Sequence, residues 1–144
     1  MTQMVQARAQ NGEELPPQPI VLTFDDAYAD FYTNALPALQ TYGFVATLYV
    51  PTVFVGGTSR WLEYLGEGSR PLLSWSQLAE ISACGIECGA HSHTHPALDM
   101  LSFSKAQDEI VRCKCLLEDH LGQQTSSFAY PYGYYNTRVR QMVR

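Results

Sequence analysis

Four short apolar runs constrain the fold of this chain more than any other feature: PIVLTF at 19–24, FVATLYV at 44–50, GIECGA at 85–90 and SSFAY at 126–130. Runs of about four to eight apolar residues bounded by turn signals suit strands buried on both faces of a parallel sheet. Helix signals lie between them. Asn34 is a candidate cap for ALPALQTYG, with Pro37 in the first turn and Gly43 after the end. Ser74 and Gln77 form a capping box ahead of WSQLAEISACG, which Gly85 stops. The longest helix is expected from about Ser102 to Gly122, with Phe103, Ala106, Ile110, Cys113 and Leu117 as one buried stripe. NTRVRQMVR begins a further helix. The order β-α-β-loop-α-β-α-β-α is an α/β pattern with right-handed crossovers. Segment 56–71, GGTSRWLEYLGEGSRP, reads as a long surface loop carrying exposed aromatics, of the kind that faces a substrate.

A chain of 144 residues is one domain by default, and 46% hydrophobic against 16% charged residues is enough to bury a core. The net charge of −5 argues against a nucleic-acid binder, which needs a basic face. No apolar run approaches the length of a membrane span. Residues 1–18 form a polar lead-in with a stiff PPQP and no apolar core of an export signal. Cys84, Cys88, Cys113 and Cys115 fit no CxxC pair; Cys113 continues the helical stripe, so the thiols are expected to be buried and to pack as small hydrophobes.

Polar clusters end three of the runs: TFDD, HSHTH and YPYG. Functional residues gather at the carboxyl ends of parallel strands, so three such clusters converge on one mouth. Asp25 and Asp26 can divide the labour beside a cation, one binding the ion and the other staying free as a base. DD after an apolar run also fits a turn residue followed by a helix cap. Three of the four histidines, His91, His93 and His95, fall within five positions. Two imidazoles and a carboxylate leave open positions on zinc or a similar ion. One turn of helix would put His91 and His95 on one side, an extended stretch would put all three on one face, and Pro96 leaves both open.

The segments VLTFDDAYADFYTNALPALQTYGFVATLYVP, AHSHTHP and SSFAYPYG, in this order and spacing, resemble the first three motifs of the polysaccharide deacetylases, carbohydrate esterase family 4. The resemblance runs from about Leu15 to the C-terminus. It implies a distorted (β/α) barrel, incomplete in this chain, with residues 19–144 as a partial catalytic domain. It implies a metal-dependent hydrolase that removes acetyl groups from a polysaccharide, with N-acetylglucosamine polymers as the expected substrate. Asp25 matches the catalytic base, Asp26 the metal-binding aspartate, and His91 and His95 the metal-binding histidines. His93 falls on the variable position between them, and Ser92 and Thr94 are expected to hold the loop in shape. Tyr132 matches the tyrosine whose backbone N–H helps to hold the oxyanion. Zinc is the expected ion, with cobalt or nickel as alternatives; its role is to activate a bound water and polarise the acetyl carbonyl.

Three features depart from the family pattern. Ala27 replaces a glycine after the two aspartates, at a cost of about 1 kcal/mol if the turn needs positive φ. Ala129 stands where an arginine often orients the base. The later motifs, which carry the acetyl pocket and the histidine that protonates the leaving amine, are absent before Arg144. The chain therefore reads as a fragment of a deacetylase, and the alternative function is a non-catalytic fragment that binds metal and glycan. His120, in the last turn of a helix, is accounted for by the helix dipole. The family points to the cell envelope or the exterior; the chain itself shows no export signal.

Overall fold

The computed structural model describes residues 17–143, so most of the polar lead-in lies outside the described residues. Three parallel strands form the sheet in the order β1 (Thr23–Phe24), β2 (Thr47–Val50) and β3 (Glu87–Ala90). Thr23 pairs with Thr47, and β2 runs beside β3 from Thr47–Glu87 to Val50–Ala90. Every residue of β2 is buried, as a central parallel strand requires. The expected fourth strand is reduced to one parallel bridge, Ala90–Phe128, closed by hydrogen bonds from Ala90 N to Ser127 O and from Ala129 N to Ala90 O, each 2.9 Å. The first strand is also shorter than its apolar run, because Ile20 and Val21 are exposed on the sheet edge. The arrangement is α/β with parallel strands, and the described strands form an open sheet.

Gly89 sets how closely β3 approaches its neighbours. A Cβ there would lie 2.6 Å from the Tyr49 ring and from Ser127 Oγ, so no larger residue fits without displacing one of them.

Helices cover the sheet. The chain leaves β1 through a π-helical turn, Phe31–Ala35, that runs directly into α1 (Leu36–Tyr42). The expected Asn34 cap does not form. Asp30 is already helical at φ −68° and ψ −17°, so Asn34 lies inside the turn, where no N-terminal amide remains for it to cap. Gly43 ends α1 in the left-handed region at φ 66°, as expected. The capping box at Ser74 forms in both directions, and α2 follows (Trp75–Ala83). The long helix α3 spans Phe103–Leu121 and ends at Gly122, φ 64°.

Its stripe of Ala106, Ile110, Cys113 and Leu117 is buried, but Phe103 is half exposed because it precedes the part of the helix that packs. Asn136 caps α4 (Thr137–Met142) by accepting from Val139 N, and Val139 closes a small second core with Leu98, Ala106 and Ile110. The main core joins Leu48 and Val50 of β2 to Leu78 and Ile81 of α2 and to Cys113 and Leu117 of α3.

The four thiols divide. Cys113 is buried and Cys88 half-buried; burial pushes their thiols up to about 11 and about 12 respectively. Cys84 and Cys115 are exposed on the outer faces of the helical layer, which corrects the expectation of four buried thiols. Among the described residues no helix is long and apolar enough to cross a membrane.

Candidate metal centre

The carboxyl ends of β1 and β3 bring Asp26, His91 and His95 together. Their ligand atoms all lie within 4.8 Å of one another. Asp26 Oδ1 is 3.4 Å from His91 Nε2 and 3.2 Å from His95 Nε2. Both histidines are buried and Asp26 is half-buried. His91 Nδ1 lies 2.9 Å from Ala129 O. A carbonyl can only accept, so Nδ1 carries the proton and the Nε2 lone pair faces Asp26. Asp26 Oδ1 is buried without a hydrogen-bond partner. Three electron-pair donors thus meet around one point, two imidazoles and one carboxylate, the donor set that suits zinc and similar ions.

The backbone that builds this cluster is strained. Among the described residues, Asp26, Ala27, Ser92, His95 and Tyr132 are the non-glycine residues with positive φ, between 55° and 72°, and all lie around the cluster. HSHTH is therefore neither a helical turn nor an extended stretch. Ser92 (φ 62°) reverses the chain and its Oγ accepts from His95 N at 3.0 Å. Thr94 donates through both its amide and its hydroxyl to the Glu109 carboxylate of α3, each at 2.6 Å. His93 faces a different partner, with Nδ1 2.9 Å from Thr52 Oγ1, and stands outside the cluster. Pairing of Val53 N with His93 O at 3.0 Å ties the loop to the segment after β2.

Asp25 is exposed at the end of β1 and does not join the three convergent groups. Tyr132 sits on a tight turn, Pro131–Gly133, and its ring meets His95 edge-on at 4.8 Å. The DDAY turn has the positive φ that makes Ala27 costly: 55° at Ala27 itself, which is buried in the main core.

Other residues complete the surroundings. The end of segment 56–71 and the residues just after it pair with the DDAY turn, through Ala29 N to Pro71 O and Leu73 N to Ala27 O, each 2.9 Å. Its 3₁₀ turn, Arg60–Leu65, presents Trp61, which stacks on His95 at 4.8 Å and 30°. Ala129 contributes a backbone oxygen and Glu109 a carboxylate from another element, and neither carries a local sequence signal.

A family model described as polysaccharide deacetylase matches residues 12–144. YxkH of Bacillus subtilis (strain 168), a protein named for polysaccharide deacetylase, is 33% identical over 117 residues, which is 81% of this chain and 38% of that protein. Among solved structures, the Streptococcus pyogenes deacetylase PplD in complex with acetate is similar over 99% of this chain and 58% of its own, with 30% identity and a TM-score of 0.80. The BpsB deacetylase domain from Bordetella bronchiseptica is similar over 98% and 65%, with 26% identity and a TM-score of 0.86. The chain thus spans less than two thirds of each of these relatives.

Proposed function

Since the chain belongs to the polysaccharide deacetylase family, we propose that it is the motif-bearing part of a metal-dependent hydrolase that removes acetyl groups from a polysaccharide, with N-acetylglucosamine polymers as substrate. Residues 19–144 supply the partial catalytic domain. Asp26, His91 and His95 would hold one divalent ion, zinc first, with cobalt or nickel compatible with the same donors. The observation that carries this reading is the convergence of three lone-pair donors on one point, with the buried Asp26 Oδ1 lacking any hydrogen bond. A buried anionic oxygen in that position is unfavourable unless a cation compensates it.

Bound there, a divalent ion supplies Lewis acidity, lowering the pKa of a bound water and polarising a carbonyl oxygen. The chain's own groups do the rest. A water attacking the acetyl carbon must lose a proton, and the sugar amine released when the amide C–N bond breaks must gain one. Asp26 would be committed as a metal ligand, so its neighbour Asp25 is the carboxylate left to accept the water's proton. The Tyr132 amide, fixed by a turn of positive φ, donates a hydrogen bond where negative charge grows on the acetyl oxygen. The rings of Trp61 and Tyr132 exclude water from two sides of His95. The acetate found with PplD matches the product that this reaction releases.

The test is acetate release from a chito-oligosaccharide by the zinc-loaded chain, run beside zinc calorimetry. Asp25→Asn is expected to lower turnover by about 10²–10⁴-fold while zinc affinity stays within about threefold, as removal of a general base does. His95→Ala is expected to lose both. Tight zinc binding with no acetate release from the parent chain would make it a metal-binding fragment instead; equal loss of zinc affinity in Asp25→Asn would refute the division between base and ligand.

A further inference from the structure

His91 and His95 are held in different ways. A metal-ligating histidine almost always donates its second ring N–H to a carbonyl, a carboxylate or a water, which fixes its tautomer and orientation. His91 does this through Ala129 O. His95 Nδ1 is buried and has no hydrogen-bond partner among the described residues. What surrounds His95 is flat and aromatic. Trp61 stacks on it at 4.8 Å and 30°, while Tyr132 and His91 meet it edge-on at 4.8 and 4.9 Å.

Trp61 is held firmly in its turn. Phe54 packs on it at 4.7 Å, and Tyr28, which carries the Arg70 guanidinium 3.8 Å over its own ring, lies at 6.3 Å. Offset ring stacking holds two aromatic planes in a preferred mutual orientation beyond what area burial alone requires.

We propose that Trp61 is a positioning residue that orients His95 for metal binding by ring stacking, in place of the hydrogen bond that His91 has. The inference rests on the reading of Asp26, His91 and His95 as metal ligands. It makes segment 56–71 part of the metal centre's support, because Trp61 sits on the turn that this segment folds. Its consequence is specific. The flat face matters, so an aromatic replacement preserves the site and an aliphatic one of adequate volume does not.

The experiment is zinc calorimetry on the full chain and on Trp61→Phe, Trp61→Leu and Trp61→Ala, with circular dichroism to check each fold. Trp61→Ala and Trp61→Leu are expected to bind zinc about 10–100-fold more weakly, the usual loss when a ligand's support is removed. Trp61→Phe is expected to remain within about threefold of the parent. If Trp61→Leu binds as well as Trp61→Phe, or if Trp61→Ala matches the parent, stacking does not position His95 and the proposal fails. Uniform weakening in all three folded variants overturns it too, since the loop alone would then be responsible. A parent chain that binds no zinc would instead remove the metal-centre reading, and this inference with it.

Discussion

At Ala27 two opposing terms meet in one methyl group. Its φ of 55° costs an L-residue with a Cβ roughly 1–2 kcal/mol. Its side chain is only 1% exposed, and a buried CH₂-sized group contributes about 0.8 kcal/mol. The near cancellation explains how alanine occupies a glycine position. Ala27→Gly should therefore leave the melting temperature within about 3 °C of the parent. Ala27→Val, which adds a β-branch at positive φ inside the core, should cost more than about 2 kcal/mol in urea denaturation. Residue type alone offered both aspartates and all three histidines, and the family resemblance singled out Asp26, His91 and His95. The tautomer of His91 was not, because a backbone carbonyl 38 positions away decides it.

Helix ends were readable wherever the signal is chemical and local. Ser74 with Gln77, Gly43, Gly122 and Asn136 act within three or four residues of their targets. The Asn34 cap failed because burial of Phe31 and Leu36 draws the whole stretch into helix before Asn34 is reached. His120 shows a similar override: it stacks on Trp75 of α2 at 3.9 Å, a contact between elements and beyond the dipole of its own helix. The histidine loop depends on α3 in the same way, through the two bonds from Thr94 to Glu109. Glu109→Ala should lower zinc affinity by about three- to tenfold while helix content is unchanged, since it loosens the loop and leaves every ligand in place. Calorimetry beside circular dichroism reads both; unaltered affinity would show that Ser92 alone holds the turn.

For the whole molecule, the proposed metal binding would be linked to folding. The proposed ligands come from two strand ends, Asp26 after β1 and the histidines after β3, with β2 between those strands. An ion that bridges them binds the folded chain and has no comparable site in the unfolded one. Zinc at 100 times its Kd should add about 2.7 kcal/mol, which for a chain of this size is a rise of about 5–10 °C in melting temperature. His95→Ala should abolish the rise, and scanning calorimetry with and without zinc measures it. A similar rise in that variant would place the stabilising ion elsewhere.

The sequence by itself determined the α/β order, the strand-end position of the polar clusters and most helix ends. Those properties follow from periodicity, capping chemistry and residue type, which act over a few residues. Tertiary structure alone decided that HSHTH turns through left-handed φ, that the last apolar run forms a single bridge, and that Trp61 lies against His95. Each of these depends on contacts between segments tens of residues apart, such as Ala90 with Phe128 and Trp61 with His95, and no local pattern records where distant backbone atoms and ring faces will meet.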